Sequence, residues 1–153
     1  MKTLLTTLLL VAINQSVISQ TTWHQITSGS SSQLNTIDFP SNQVGYIGGN
    51  DSTLLKTTNG GISWNSINFS WVSFFPSGEH IVNLKFVTED IGYMAVGPYG
   101  GIYKTIDGGI NWLAVTPTGN LCYNQGLFFF SEGNGFLGGA GCFQGETIEL
   151  MQN

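Results

Sequence analysis

The apolar residues of this chain fall into short runs separated by clusters of glycine, asparagine, serine and proline. Runs at 34–39, 44–49 and 54–57 are followed by an Asn-Gly-Gly turn and by a fourth run at 63–69. Short runs rich in β-branched and aromatic residues, bounded by turn formers, are typical of β-strands. The first third of the chain therefore predicts four strands in an antiparallel meander.

One stretch of this pattern occurs twice. The segment Leu54 to Trp64 returns 48 positions later as Ile102 to Trp112, with the same order of apolar strand, Lys-Thr pair, Asn/Asp-Gly-Gly turn and tryptophan. Asn-Gly and Asp-Gly supply the positive φ angles of a tight turn. A turn this specific at a fixed interval indicates an internal repeat.

A second spacing extends the repeat to three units. In each unit a phenylalanine precedes a glycine by six positions: Phe39 and Gly45, Phe86 and Gly92, Phe129 and Gly135. The units occupy about 33–69, 81–116 and 126–153 within a repeat segment spanning 21–153. Residues 22–27 are typical of the fourth strand of a unit whose first three strands are missing, so we expect them to close a ring.

Four-stranded units of roughly 40 to 50 residues, each with a tryptophan and a glycine turn, predict the blades of a β-propeller. We therefore expect an all-β fold with about two and a half to three antiparallel blades. Closed propellers have about four to eight blades. The chain is accordingly interpreted as a fragment of a larger propeller or as a divergent short form, and we expect the remaining blades or a partner chain to complete it.

Residues 1–20 have the pattern of a secretory signal peptide. Lys2 gives a positive start, residues 4–13 are mostly apolar, and Val17 to Ser19 offer small or apolar residues for cleavage. The apolar run is too short to cross a bilayer. The alternative is a buried N-terminal helix. The signal predicts a secreted protein, extracellular or at the cell surface, with a periplasmic location as a variant.

The charge of the chain excludes some partners. It has four lysines, no arginine and nine carboxylates, for a net charge of −5. Phosphate neutralisation needs a patch of Lys and Arg, so nucleic acid is not expected as a ligand. Docking on anionic lipid is excluded for the same reason, and no later segment has the length and apolar character of a membrane span.

The two cysteines predict a disulfide. A secreted chain with an even cysteine count favours one. Cys122 and Cys142 lie ten positions either side of Glu132, which we expect in the turn of a hairpin with Gly133. That register places them opposite each other on adjacent strands. The alternative is two free thiols.

The repeated turn resembles the Asp-box, or bacterial neuraminidase repeat. The wider pattern, Gly-Tyr-x-x-Gly followed by Leu-Leu-Lys-Thr-Thr-Asn-Gly-Gly-x-Ser-Trp, is similar to the photosystem II assembly factor-type propeller repeats of secreted bacterial proteins. This resemblance implies a structural turn remote from any active site. The box residues are Thr57, Asn59, Gly61, Ser63, Trp64, Thr105, Asp107, Gly109 and Trp112. Asn59 departs from the usual Asp, and Asn111 stands where Ser or Thr is usual.

Catalysis is not predicted for this chain. Sialidases share the box but hold the substrate carboxylate with three arginines, and this chain has none. A photosystem assembly role is not favoured either, because no basic patch is present and the signal indicates ordinary secretion. His24 and His80 have no partner at metal-ligand spacing, and no nucleophile-His-Asp order stands out. The sequence predicts no catalytic residue, no metal and no cofactor.

An insertion marks a candidate binding face. The connection between the first two units, around 69–80, is about five or six residues longer than its counterparts, and the second loop of the third unit, 140–146, is longer by three or four. In a meander both loops lie at the end opposite the Asp-box turns, and function concentrates in such loops. The candidate residues are Trp71, Phe74, Phe75, His80 and Phe143. The alternative is that the aromatic residues fill the groove between blades.

The sequence therefore favours a secreted, non-catalytic propeller module that binds a protein or a glycan, or serves as a scaffold. The alternative is part of a glycan-active propeller enzyme whose catalytic residues lie outside this chain.

Overall fold

A computed structural model of the chain describes residues 22–71, 79–97, 101–115, 121–141 and 145–151. These residues form twelve β-strands. They are β1 Leu34–Asp38, β2 Gly45–Gly49, β3 Leu54–Thr57, β4 Asn65–Ser66, β5 Ser70–Trp71, β6 His80–Phe86, β7 Gly92–Gly97, β8 Gly101–Thr105, β9 Asn111–Ala114, β10 Leu121–Ser131, β11 Asn134–Gly141 and β12 Gly145–Met151. In this part of the chain, no helix has the length and apolar character needed to span a bilayer.

The strands form three sheets that follow the predicted units. Unit 1 is the antiparallel sheet β1-β2-β3-β4, unit 2 contains β6 to β9 with β5 added beside β9, and unit 3 is β10-β11-β12. The prediction of an all-β fold built from antiparallel meanders is confirmed. In unit 1 the first three strands begin and end within one residue of the expected runs, whereas the fourth, expected at 63–69, is only Asn65–Ser66.

Residues 22–33 precede the first strand and form no strand among the described residues. Trp23 is fully exposed there. The proposal that 22–27 close a ring stays a prediction, because it concerns strands contributed from elsewhere. The expected signal peptide, residues 1–20, lies outside the described residues.

The first strand of each unit carries a β-bulge at the same place. The register shifts between Leu34 and Thr36 in β1, between Ile81 and Asn83 in β6, and between Asn124 and Gly126 in β10. Each shift lies three to five residues before the repeated phenylalanine. A bulge bends its strand and increases the local twist, so the three first strands share one shape.

The shared bulge of β10 and one further shift, between Leu121 and Tyr123, change the register that was expected for the cysteines. The hairpin turns at Glu132 and Gly133 as predicted, with Ser131 paired to Asn134. An uninterrupted register from Phe128↔Phe136 would pair Gly141 with Tyr123, but Gly141 instead pairs with Leu121. The register argument for placing Cys122 opposite Cys142 was therefore wrong by two residues. Cys142 lies outside the described residues, and the disulfide stays a prediction.

The units are joined by a repeated aromatic sandwich. The ring of Phe86 in unit 2 stacks on Tyr46 of unit 1, with centroids 3.6 Å apart, and its other face covers Gly92. A Cβ at Gly92 would lie 2.6 Å from that ring. Phe129 of unit 3 stacks in the same way on Tyr93 of unit 2, at 3.8 Å. The spacing of six residues seen in the sequence thus places a large ring against the one residue type that leaves room for it.

The buried core lies between neighbouring sheets. One cluster joins units 1 and 2 and a second joins units 2 and 3. The fully buried β7 of unit 2 contributes side chains to both clusters. Each sheet therefore depends on the next for burial of its apolar faces, as expected for stacked repeats.

Candidate functional site

The first Asp-box forms a closed set of hydrogen bonds within its own turn. Thr57 Oγ1 donates to Asn59 Oδ1 at 2.8 Å and accepts from the N–H of Gly61 at 3.0 Å. Asn59 Oδ1 also accepts from the Ser63 N–H at 3.0 Å, and Asn59 Nδ2 donates to Ser63 Oγ at 2.9 Å. Side chains of this kind replace missing backbone partners in a turn.

The second box uses a carboxylate for the same purpose. Asp107 Oδ1 accepts from Thr105 Oγ1 and from the N–H groups of Ile110 and Asn111, and Oδ2 accepts from Asn111 Nδ2 at 2.7 Å. These donors, first among them the Asn111 N–H, lower the pKa of Asp107 below its usual value. Asn111, where Ser or Thr is usual, thus serves the turn as Ser63 does in the first box.

The tryptophans of the two boxes differ in burial. Trp112 is fully buried and donates from Nε1 to the Gly109 carbonyl at 2.9 Å. Trp64 is half-buried and contacts Phe39 edge-on at 5.8 Å between centroids. Both box turns sit where β3 and β8 end, at one end of their units. Their polar side chains make hydrogen bonds within the turns, and the Asp-box assignment of these residues stays a prediction.

The insertion after unit 1 begins as a short strand in an unexpected position. Ser70 and Trp71 pair in parallel with Asn111 and Trp112 of β9. The backbone of Trp71 therefore lies at the outer edge of unit 2, next to the second Asp-box, and not at the opposite end as the meander logic predicted. A parallel partner added across a unit boundary depends on tertiary contacts that turn patterns do not encode. Phe74, Phe75 and Phe143 lie outside the described residues, and their binding role stays a prediction.

His80 does lie at the end opposite the boxes. It opens β6 and pairs with Gly97, whereas the box-proximal end of the same sheet pairs Gly92 with Thr105. The preceding residue, Glu79, accepts at its carbonyl from the Ser52 N–H at 2.8 Å. This bond ties the end of unit 2 to the turn between β2 and β3 of unit 1.

Two buried polar atoms at this end have no hydrogen-bond partner among the residues that the structure describes. Glu79 Oε2 and His80 Nδ1 are both shielded from solvent, and neither makes a hydrogen bond in the structure described here. Buried polar atoms are nearly always satisfied, so such exceptions call for a partner such as a bound water, an ion or a ligand, or for strain. The pair offers an acceptor and an imidazole nitrogen that can donate or accept according to its tautomer.

The negative charge of Glu79 affects the pKa of Tyr103 in β8. Burial raises the pKa of Tyr103 to about 12, and the negative charge of Glu79 adds to the effect. Tyr103 therefore stays protonated at any physiological pH. His80 was a candidate binding residue predicted from the sequence, whereas Glu79 and Tyr103 were not. The usable signal was the Glu-His pair placed directly before an apolar strand, whereas Tyr103 carries no distinguishing pattern.

Other carboxylates have structural partners across the unit boundaries. Asp38 of unit 1 accepts from Lys85 Nζ at 2.8 Å and from the Phe86 N–H at 2.6 Å. Glu132 of unit 3 pairs with Lys104 of unit 2 at 2.8 Å. Among the described residues, no group of three or more potential metal ligands comes together.

Comparison with solved structures shows which fold these sheets form. YCF48 bound to D1 peptide matches 73% of this chain with a TM-score of 0.62 and 18% identity, and YCF48 from Cyanidioschyzon merolae matches 86% with a TM-score of 0.67 and 20% identity. Both are β-propellers. The chain has the fold of a partial β-propeller.

This partial propeller also matches an ancestral GH74 enzyme over 73% of its length, with a TM-score of 0.52 and 19% identity. It spans 36% and 37% of the two YCF48 chains and 17% of the enzyme. No protein-family model matches the chain, and no curated protein does. The expected likeness to photosystem II assembly factor-type propellers is confirmed at the level of the fold.

Proposed function

We propose that this partial propeller is a secreted, non-catalytic module that binds a protein or a glycan at the end opposite its Asp-box turns. The observation that carries the proposal is the pair of buried, unpartnered atoms Glu79 Oε2 and His80 Nδ1 at that end. The signal-like composition of residues 1–20 supports secretion.

A ligand that brings hydroxyl or amide groups would satisfy both atoms. A buried polar group left without a partner costs about 1–3 kcal/mol, so a ligand that supplies the bonds recovers that cost on binding. Sugar hydroxyls and peptide N–H groups donate to a carboxylate, and either can complement an imidazole. The acidic chain, with a net charge of −5, favours a neutral or cationic ligand over an anionic one.

The structural neighbours support both ligand classes. One YCF48 structure is described as bound to a D1 peptide, so a propeller that this chain partly matches holds a peptide. The GH74 protein is an enzyme on the same fold. We therefore take a peptide array and a panel of neutral polysaccharides as the first probes.

The test compares Glu79→Gln and His80→Ala with Glu89→Gln, an exposed acid at the other end of β6. Any probe retained by the unaltered chain should bind at least tenfold more weakly to Glu79→Gln, which replaces the carboxylate by a neutral amide, and to His80→Ala, which removes the imidazole. It should bind equally to Glu89→Gln. Calorimetric titration measures the dissociation constants. Unchanged binding by both site variants would show that the ligand, if any, sits elsewhere.

A second candidate function is part of a glycan-active enzyme whose catalytic residues lie outside this chain. The likeness to the GH74 enzyme favours it. Under this alternative the chain alone binds polysaccharide but releases no reducing ends, whereas the full-length protein does. Release of reducing ends by the chain alone would contradict the non-catalytic proposal.

A further inference from the structure

The face of unit 1 that points away from unit 2, here called the leading face, is apolar and uncovered. Its exposed apolar residues are Leu34, Ile37 and Phe39. Leu34 and Ile37 line a groove of about 340 Å³ together with Ile47, which is itself buried. Ile37 is 59% exposed, whereas Leu84, the residue at the same position of unit 2, is 3% exposed because unit 1 covers it. The leading face of unit 1 thus has apolar residues at positions that are buried between units in unit 2.

The opposite face of unit 3, here called the trailing face, is also apolar and open. Phe128, Phe130 and Phe136 form an edge-to-face cluster there, with centroids 5.1 and 5.6 Å apart, and all three rings are exposed. Phe136 occupies the position of Tyr46 and Tyr93. Those two tyrosines stack on a phenylalanine of the next unit.

Each open face carries one part of the aromatic stack found between the units. The leading face has the phenylalanine and its glycine, and the trailing face has the ring at the tyrosine position. Phe39, on the leading face, covers Gly45 as Phe86 covers Gly92, but the outer side of its ring has no tyrosine. On the trailing face, no phenylalanine of the described residues lies beyond Phe136.

Gly48 lies directly beneath Ile81 of the next unit, while the equivalent Gly138 has open space above it. Leu34 stands at the position of Ile81.

The charges on the two faces are matched as well. Between units 2 and 3, Lys104 lies over the Tyr93 ring and pairs with Glu132. The strand register puts Leu150 of unit 3 at the position of Lys104. Asn42 of unit 1 stands at the position of Glu132. At these two positions the trailing face has no lysine and the leading face has no glutamate, so joining the faces would leave neither member of this ion pair buried without its partner.

Residues 22–27 match the fourth strand that would pair with the open edge of β12. Trp23 corresponds to Trp112, which is buried, yet Trp23 is fully exposed. Ile26 corresponds to Ile67 and Val115, whose N–H groups donate to the third strand of their own unit, at Leu54 and Ile102. In unit 3 the third strand is β12, and within the described part of the chain its outer edge has no partner strand.

We propose that a second copy of this chain docks head to tail, with its leading face on the trailing face of the first. In this arrangement Phe39 of one copy stacks on Phe136 of the other, and residues 22–27 add a fourth strand to β12, with the Ile26 N–H donating to the Ile148 carbonyl. Two copies with three units each give six units, within the range of about four to eight found in closed propellers. A head-to-tail contact forms a finite assembly only when it closes in this way.

The first test is the mass of the purified chain in solution, measured by light scattering and sedimentation across the micromolar range. We expect twice the chain mass. Ile37→Lys on the leading face and Phe130→Glu on the trailing face should each weaken dimerisation by about 30-fold or more, as for interface hot spots. Ile62→Lys, at an isoleucine that is 80% exposed in the first Asp-box turn, is the matched control and should leave the mass unchanged. Because Ile37 and Phe130 are exposed, both variants should keep the far-UV circular dichroism of the unaltered chain.

Mixing separates a head-to-tail contact from a symmetric one. A closed pair has two contacts, so a mixture of Ile37→Lys and Phe130→Glu contains one contact between unaltered faces and one between altered faces, and should recover part of the dimer that each variant alone has lost. With a symmetric contact through one face, the variant altered on the other face would instead dimerise by itself. Hydrogen exchange should show the Ile26 amide protected in the dimer and unprotected in Ile37→Lys. A monomeric unaltered chain, or a dimer insensitive to both variants, overturns the proposal; in the first case the two faces belong to further units of a longer chain or to another protein.

Discussion

At the scale of single residues, the two Asp-boxes show one turn made with two chemistries. Asn59 serves its turn as an acceptor and a donor, while Asp107 serves only as an acceptor and carries a charge. The neutral amide must present its oxygen to Thr57, which fixes its orientation. The carboxylate needs no such choice, but it functions fully only when it is ionised.

Asp107 should therefore make the protein sensitive to acid. Its pKa is lowered in the folded state, so its contribution to stability is present above the unfolded value of about 3.8 and is lost as pH falls through the folded value. Asp107→Asn should reduce the loss of unfolding free energy between pH 6 and pH 3, while Asn59→Asp should increase it. Urea unfolding at both pH values measures the effect. The control Asp51→Asn alters an exposed carboxylate, and an equal effect there would contradict the assignment.

Gly92 should tolerate no side chain. A methyl group there would lie 2.6 Å from the Phe86 ring, which is itself held against Tyr46. We expect Gly92→Ala to cost about 1–3 kcal/mol of unfolding free energy, as for overpacked cores. Gly126→Ala, where a Cβ would meet nothing within 4 Å, is the control and should cost little. Equal costs measured by chemical denaturation would mean that the sandwich can relax.

At the scale of elements, the two tyrosine bridges between units have opposite polarity. Tyr46 donates its hydroxyl hydrogen to the Glu89 carbonyl at 2.7 Å, whereas the Tyr93 hydroxyl accepts from the Gly133 N–H at 3.1 Å. Glu89 is exposed and Gly133 is buried. Water can therefore replace the hydroxyl at the first bridge but not at the second.

Tyr93→Phe should for this reason destabilise the protein more than Tyr46→Phe. Leaving the buried Gly133 N–H without an acceptor should cost about 1–3 kcal/mol, while loss of a bond whose acceptor can turn to water should cost about 1 kcal/mol or less. The two values come from denaturant unfolding of otherwise identical chains. A larger cost for Tyr46→Phe would show that the burial of Tyr46, which raises its pKa, matters more for stability than the difference in exposure between Glu89 and Gly133.

The elements also show what a sequence of this kind can and cannot predict. The strands and the Asn-Gly-Gly turns follow from local chemistry, because period-2 patterning and positive-φ glycines act over a few residues. The parallel pairing of Trp71 with Trp112 and the bulges in β10 do not, since both depend on packing between distant segments. For the same reason the sequence singled out His80 but gave no sign that Glu79 Oε2 would be buried beside it without a partner.

At the scale of the whole molecule, stability is uneven along the row of units. Unit 2 is covered on both faces, and every residue of β7 is buried, whereas units 1 and 3 each leave one apolar face open. In stacked repeats, stability is approximately the sum of the units and their interfaces. The middle unit therefore has two interfaces and each outer unit has one.

Hydrogen exchange should reproduce this order. In Ile37→Lys, chosen to hold the chain as a monomer, we expect the amides of β7 to exchange most slowly and those of β1 and β12 to exchange sooner, because local opening begins where fewest contacts hold. Mass spectrometry of peptic fragments resolves the three units. Uniform protection would indicate that the three sheets unfold as one cooperative block.

The bulge shared by β1, β6 and β10 has a consequence for how the chain avoids errors during folding. Sequences as similar as units 1 and 2 can exchange strands, and a misplaced pairing between repeats is a characteristic failure of repeat proteins. If a first strand paired out of register, its bulged residue would no longer lie where the partner strand accommodates it. A shift of one residue would also turn every apolar side chain to the wrong face of the sheet. We therefore expect the bulges at Asn35, Val82 and Gln125 to hold each first strand in one register while the units assemble.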